Sequence, residues 1–319
     1  MATRIRILSP AEAPAFAGMT FPSHAAALLR GVGTGRALAV GAYEDGRPAA
    51  LALARATARK RGALPEAELL SLLVERAHRG RGLGGHLLRT LERALAGRGV
   101  GQLRTVWSDG LEGADPFRAV LTRGGWSEPH RRMYTLRMHV PTAIGEAMRR
   151  EYARFADPAR CLPRGYEVSS WEGLPPEDEA FIRRMAGQPG WYEHRADPLR
   201  ERRTLDPAQS LLLRQRGRAA GGKDAGAEGG IVGWITRHRT APDTLRITDV
   251  FLREDLRRAG GVAMALTTHA ILRQRELGPE RLTLGIEAAN EPLIRLVHRR
   301  IGPVSSECWS WGASKFLLR

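Results

Sequence analysis

One segment of seventeen residues carries the densest chemistry in this chain: Leu72-Leu-Val-Glu-Arg-Ala-His-Arg-Gly-Arg-Gly-Leu-Gly-Gly-His-Leu-Leu88. It opens in the apolar run Glu68–Val74 (ELLSLLV), passes through glycines at 80, 82, 84 and 85, and enters a stretch with apolar residues at 87, 88, 91 and 95. The first pattern predicts a buried strand and the last a helix. Glycines let a backbone approach a ligand closely and turn its N–H groups inward. The helix start adds unpaired amides and the positive end of a dipole. With Arg79 and Arg81 in the same loop, the segment is an anion site suited to phosphate.

Several ligands fit such a loop. Gly80-x-Gly82-x-x-Gly85 matches the dinucleotide fingerprint, with Asp109 downstream as the acidic residue. That fingerprint wants its first glycine at the end of the first strand of its domain, whereas Glu75–Arg79 intervene here and several strands come before. A Walker-type loop needs Gly-Lys-Ser/Thr, which this segment lacks. A glycine turn without a ligand is the plainest alternative.

The elements that position this loop occur twice. In the first half, strands are expected at Arg4–Leu8, Arg36–Tyr43, Ala49–Ala58, Glu68–Val74, Gln102–Trp107 and Met133–Met138, with helices at His86–Leu95 and Pro116–Thr122. In the second half the order returns: strands at Tyr166–Ser170, Ser210–Gln215, Ile231–Arg237, Leu245–Leu252, Arg281–Ile286 and from Cys308, with helices at Glu177–Met185, Val262–Glu276 and Pro292–Arg300. Two copies of mixed strands and helices predict an α/β (α+β) unit repeated in tandem. The expected division is 1–140, a partly helical linker over 141–163, and 164–319. Arg216–Gly230 reads as a glycine-rich hairpin loop.

Arg79-x-x-Gly82-x-Gly84 after a strand ending in Val74, continued by Leu87-Leu88, resembles the R/Q-x-x-G-x-G/A motif of the GNAT family of N-acyltransferases. The second half carries a weaker version, with Arg258, Gly261 and Ala263 in the motif positions and one extra loop residue. Asn290–Gly302 resembles the family's later N-x-x-A…lY-x-x-x-G segment, and Asp115–Trp126 takes that place in the first half. The resemblance thus runs along nearly the whole chain, twice, in a layout similar to tandem members such as mycothiol synthase. It implies two GNAT-like domains, each a mixed, mainly antiparallel sheet flanked by helices.

The resemblance also implies acetyl-CoA as co-substrate, with a coenzyme A thioester and an amine-bearing small molecule or peptide as partners. Loop amides would hold the pyrophosphate and the preceding strand end the pantetheine. Carried onto this chain, the cofactor-binding positions are Leu73, Val74, Arg79, Gly80, Arg81, Gly82, Leu83 and Gly84 in the first copy. In the second they are Leu252, Arg257, Arg258, Gly260, Gly261, Val262, Ala263 and Asn290.

Direct attack of an amine on a thioester needs a base, a donor for the tetrahedral oxyanion, and an acid for the departing thiolate. The family often takes its base from the strand before the loop and its acid from a tyrosine four residues before the last helix's closing glycine. In the first copy these positions hold Ser71 and Leu121, neither fit for proton transfer, with Glu66 and Glu68 earlier on the strand as substitutes or as a solvated strand entrance. In the second copy they hold Asp249 and His298. An aspartate in an apolar strand is costly unless partnered or functional, and histidine as a type titrates near neutrality. The expected catalytic pair is therefore Asp249 and His298, in a catalytic C-terminal domain beside a degenerate N-terminal one. A salt-bridged Asp249 and a solvated His298 are the structural alternatives. Trp191, Tyr192 and Glu193 lie where the family recognises acceptors, as pocket walls or as core.

Composition bounds these readings. Fifty Lys+Arg against thirty-four Asp+Glu give a net charge of +16, and forty-seven of the basic residues are arginine. Such a charge fits a polyanionic partner. The charge makes a nucleic-acid-associated protein one rival reading, and the incomplete catalytic sets make a non-catalytic acyl-CoA-binding or dimerisation module the other. With no helix-turn-helix, zinc-finger or RNA-recognition signature and 6% aromatic residues, no nucleic-acid partner is expected. Two cysteines without a CxxC and no ligand-spaced His/Cys/Asp cluster predict no metal. The absence of an apolar run of about 18 residues, and of a signal-like start, predicts a cytoplasmic protein away from membranes. The oligomeric state is left open, a homodimer included.

Overall fold

The computed structural model describes residues 3–57, 64–143, 162, 164–193, 197–201, 204–216, 230–257 and 261–318. It divides into two compact units, Met1–Met133 with Cys308–Arg319, and Tyr134–Glu307. Residues 144–161 and 163 of the expected partly helical linker and residues 217–229 of the expected hairpin loop lie outside the described residues.

The first unit contains β1 (Arg4–Ile7), α1 (Pro22–Gly31), β2 (Ala37–Glu44), β3 (Arg47–Ala56), β4 (Glu66–Val74), α2 (Leu83–Ala96), β5 (Gln102–Ser108) and α3 (Ala114–Arg123). A 3-10 segment, Ala13–Met19, precedes α1. Neighbouring strands run β1-β2-β3-β4-β5, antiparallel except for the parallel pair β4–β5. Strands β2 and β3 are apolar without alternation because the sheet is covered on both faces. Leu83, Leu87, Leu88 and Leu91 of α2 pack on one face, and Phe16, Met19 and Leu28 on the other. Gly41 permits the second contact, since a Cβ there would stand 2.5 Å from the Phe16 ring.

The second unit repeats this plan with β7 (Tyr166–Ser170), α4 (Pro176–Met185), β8 (Leu211–Gln215), β9 (Ile231–Ala241), β10 (Thr244–Leu252), α5 (Glu254–Arg257), α6 (Val262–Leu277), β11 (Arg281–Glu287) and α7 (Glu291–Ile301). Its order is β7-β8-β9-β10-β11, again antiparallel except for β10–β11. Val262, Leu266 and Ala270 of α6 cover one face, and an aromatic-rich cluster covers the other.

The closing strands do not follow the copies that encode them. Strand β6 (His130–His139), at the end of the first copy, passes into the second unit and neighbours β11. Strand β12 (Ser306–Phe316), at the end of the second copy, pairs antiparallel with β5 from Ser310↔Ser108 to Phe316↔Gln102. In the first unit Lys315 then reaches Glu92 on α2 at 2.7 Å, and Glu92 also accepts from the Trp126 indole at 2.8 Å.

Candidate functional site

Strands β4 and β5 of the first unit pair only over Glu66–Leu69 and Gln102–Thr105. The register of β3 against β4 jumps from Leu53↔Ser71 to Ala54↔Leu69, so Leu70 is the extra residue of a bulge. Past this point the strands part around a cavity of about 490 Å³. Leu69–Leu73 form one wall and Thr105–Ser108 the other, and Met19–Pro22, His24 and Phe117 of α3 also line it. The β5 wall is held from behind by β12, through Val106↔Gly312 and Trp107↔Trp311. Ser71 bonds Thr20 across the cavity edge at 2.6 Å.

The glycine loop adjoins this opening. Gly80 and Gly82 hold φ of +80° and +76°, the left-handed region that disfavours any side chain, and Gly82 caps α2. A Cβ at either would meet nothing within 4 Å, so this face of the loop is open. Arg79 donates through Nε to the Val74 carbonyl at 3.0 Å and keeps a half-exposed guanidinium, 3.7 Å from Glu112 at the cavity rim. Arg81 is more firmly held, 3.1 Å from the buried Glu44. The Thr3 hydroxyl, then Arg81 and His78, hold the Glu44 carboxyl below its usual range. Leu83 is buried beneath the loop.

The second unit repeats the backbone devices. Strands β10 and β11 pair over Thr244–Ile247 and Arg281–Leu284, and the jump from Ile247↔Arg237 to Asp249↔Thr236 makes Thr248 the bulge residue. Asp249 therefore stands where Ser71 stands. Arg257 donates through Nε to the Leu252 carbonyl at 2.9 Å, five residues back, as Arg79 does to Val74. The counterpart of Arg79 is thus Arg257, one place before the position the motif spacing selects, and the extra loop residue follows it. Gly261, at φ +99°, caps α6 as Gly82 caps α2. Val262 is buried and Ala263 exposed, while Arg258 and Gly260 lie outside the described residues.

Side chains separate the two units. Leu73, on the cavity wall, is 37% exposed; Phe251, at the same offset from the bulge, is 6% exposed. Trp191 stacks on Phe251 at 5.8 Å, and Trp234 lies 4.3 Å from it on the neighbouring strand. Tyr192 packs edge-on to Trp234 and donates its hydroxyl to the Ile182 carbonyl at 2.6 Å. Burial, then the nearby Asp197, pushes that phenol up to about 12. Asp249 accepts from the Trp234 indole N–H at 2.8 Å. Of the acceptor-pocket residues expected from the sequence, Tyr192 is core, Trp191 is half-buried against Phe251 and Phe181, and Glu193 is exposed.

His298 lies on an exposed face of α7, its Nδ1 2.9 Å from both Glu307 oxygens and 3.3 Å from the Tyr134 hydroxyl. Burial and the hydrogen bond to Glu307 raise the Tyr134 phenol well above its usual range. The expected catalytic pair therefore goes to different partners, Asp249 to an indole and His298 to a carboxylate. Leu121 is buried in the first unit's core. Asn290 caps α7, accepting from the Leu293 amide. Glu66 and Glu68 form ion pairs with Arg104 and Arg55 at the strand entrance. Asp109, which a dinucleotide reading would aim at a ribose, instead accepts from the Trp309 amide and the Trp311 indole of β12. Among the described residues no group of His, Cys, Asp or Glu is arranged to hold a metal ion, and no helix is long and apolar enough to cross a membrane. His24, Thr20, Trp107 and Phe117 line the cavity without any sequence signal that singled them out.

A bulged strand splayed from its parallel neighbour, followed by a glycine-capped helix and present in two successive units, defines the chain as a tandem GNAT-fold protein. The model of the Acetyltransferase (GNAT) family matches residues 12–114, the segment that holds the cavity and its loop. A tandem GNAT protein from the clavulanic acid biosynthesis pathway superposes with a TM-score of 0.57 at 14% identity, covering 100% of this chain and 99% of its own. A GCN5-related N-acetyltransferase from Sphaerobacter thermophilus superposes with a TM-score of 0.59 at 20% identity, covering 99% and 96%. At these identities the likeness is one of fold. Comparison with curated protein sequences returned no match.

Proposed function

We propose that the chain is an acyl-CoA-dependent N-acyltransferase that passes acetyl from acetyl-CoA to a primary amine of a small molecule or peptide by direct attack, and that the acyl-CoA site is the cavity of the N-terminal unit. The observation that carries this reading is the opening between β4 and β5, lined by Arg79 of a loop whose glycines leave an open face. The residues fit the co-substrate. Leu69–Leu73 offer an extended strand and an apolar wall for a pantetheine arm, and the α2 amides with Arg79 offer donors for its phosphates. Acetyl-CoA supplies an activated acyl carbon with a thiolate leaving group.

This reading keeps the acyl-CoA site at the first copy's glycine loop and moves catalysis away from the C-terminal unit that the sequence favoured. What supports the move is volume: the place of Leu73 is taken by Phe251 and covered by Trp191. The test is Leu73→Trp, which puts a ring of comparable size into the open unit. Because Leu73 is already part-exposed, the fold should tolerate the change, while acetyl-CoA affinity should fall about tenfold or more. Unchanged acetyl-CoA binding in a folded L73W protein refutes the assignment.

A further inference from the structure

We infer that His24 is the general base for the acceptor amine, a proposal that rests on the N-terminal cavity being the acyl-CoA site. The first copy lacks an ionisable group at both positions where the sequence sought one, Ser71 and Leu121. The cavity nevertheless has one. Among its described lining residues the ionisable side chains are His24, Arg79 and Glu112. Arg79 cannot accept a proton. Glu112 is almost fully exposed and sits beside Arg79, on the side of the phosphate loop. His24 lines the cavity from the first turn of α1, on a different element from the glycine loop.

Its ring is also uncommitted. Nδ1 is buried and makes no hydrogen bond among the described residues, and the ring packs edge-on to Phe21 at 5.7 Å. A half-buried imidazole with a buried, unpartnered nitrogen at a cavity wall is poorly explained by structural need, because buried polar atoms ordinarily find partners. The hydrogen-bonded Thr20–Ser71 pair lines the same cavity and adds two hydroxyls to it.

The step is balanced as follows. His24 takes one proton from the attacking amine as the amine nitrogen forms a bond to the thioester carbonyl carbon. The C–S bond breaks, coenzyme A leaves as thiolate, and the thiolate recovers the proton, directly or from solvent. The products are an amide and coenzyme A thiol, with no oxidant or metal required.

The experiment compares wild type with His24→Gln and His24→Asn, using acetyl-CoA and the probe amines benzylamine, hydroxylamine and aniline. Thiol release is measured with and without added imidazole, acetyl-CoA affinity by calorimetry, and the histidine ring resonances by NMR. The expected result is a loss of about 10²-fold or more in turnover with benzylamine, typical of a removed general base. The loss should be smaller with the weakly basic aniline, and imidazole should restore part of it. Acetyl-CoA affinity should stay within about twofold. The ring resonance missing from both variants should shift when acetyl-CoA is added to wild type.

Turnover in either folded variant within about threefold of wild type overturns the inference, as does a His24 resonance that does not move at saturating acetyl-CoA. Wild type that binds acetyl-CoA but releases no thiol with any probe amine overturns it too, while leaving coenzyme binding intact. Failure of acetyl-CoA to bind at all sinks the underlying reading instead, and His24 with it.

Discussion

The sharpest test of the site assignment is Arg79→Ala set against Arg257→Ala. The two arginines make the same backbone bond at nearly the same length, 3.0 Å to Val74 and 2.9 Å to Leu252. Any difference between the variants must therefore come from what their guanidinium groups meet. Arg79 is half exposed, and Glu112, with which it pairs, is 3.7 Å away and itself 89% exposed. Such a pair contributes about 1 kcal/mol at most, and with the exposed bond to Val74 also lost R79A should cost no more than about 1–2 kcal/mol of stability. A charge-assisted hydrogen bond to a phosphate oxygen is worth about 1.5–3 kcal/mol. At 1.4 kcal/mol per tenfold, acetyl-CoA affinity should fall about 10- to 150-fold in R79A. That loss should shrink as ionic strength rises. In R257A the affinity should stay within about twofold of wild type. Calorimetric titration with acetyl-CoA at two salt concentrations measures all of this. Equal affinities for wild type and R79A refute the phosphate role, and a larger loss in R257A places the coenzyme in the C-terminal unit.

Two further outcomes follow from the same geometry. Asp249→Ala removes the acceptor of the fully buried Trp234 indole and should cost about 1–3 kcal/mol in urea unfolding, whereas Asp249→Asn should keep thiol release within about twofold of wild type. Loss of turnover in a folded D249N protein would return catalysis to the C-terminal unit. Glu44 has a folded-state pKa held below the value it has in the unfolded chain, chiefly by Thr3 and then by Arg81. The unfolded chain therefore takes up this proton first. The stabilisation is complete above that value and is lost as pH falls through the folded pKa. Glu44→Gln should flatten the acid limb of the stability profile, read from urea midpoints from about pH 5 downward. An unchanged acid limb would show that the buried carboxylate is not the group responsible.

The strands and the two main helices were legible because burial leaves a mark in composition. Strands β2 to β4 are apolar runs bounded by charge, and α2 repeats leucine at helical spacing. The bulges at Leu70 and Thr248 were not legible, since each is a register slip against a neighbouring strand and leaves no trace in its own sequence. The placement of β12 beside β5 was hidden for the same reason: a strand's pattern states which face is buried, not which edge it joins. The segment from Ala13 to Gly31 was missed altogether. Helix α1 (PSHAAALLRG) buries Leu28 and Gly31 and shows no continuous stripe, yet it brings in the wall that holds His24. Asp249 drew attention as a charge in an apolar strand, and the structure gives that charge a local use on Trp234.

The two units also show why a repeated motif can part from a repeated activity. Bulge, splay and left-handed glycine cap are main-chain devices, and with the arginine-to-carbonyl bond all recur in the same order. They depend on strand register, one arginine and one glycine, so they tolerate drift elsewhere. The space between the splayed strands depends on side-chain volume at a few positions. Leu73 faces Leu51 across β3 and β4, and Phe251 faces Trp234 across β9 and β10. Two aromatic rings at one cross-strand pair, with Trp191 stacked above, fill in the second unit what two leucines leave open in the first. Filling that space adds apolar burial to the second unit's core, while the first unit keeps a 37% exposed leucine at its cavity wall. An exposed apolar wall is a standing cost to stability unless a ligand covers it, and of the two copies the first bears that cost.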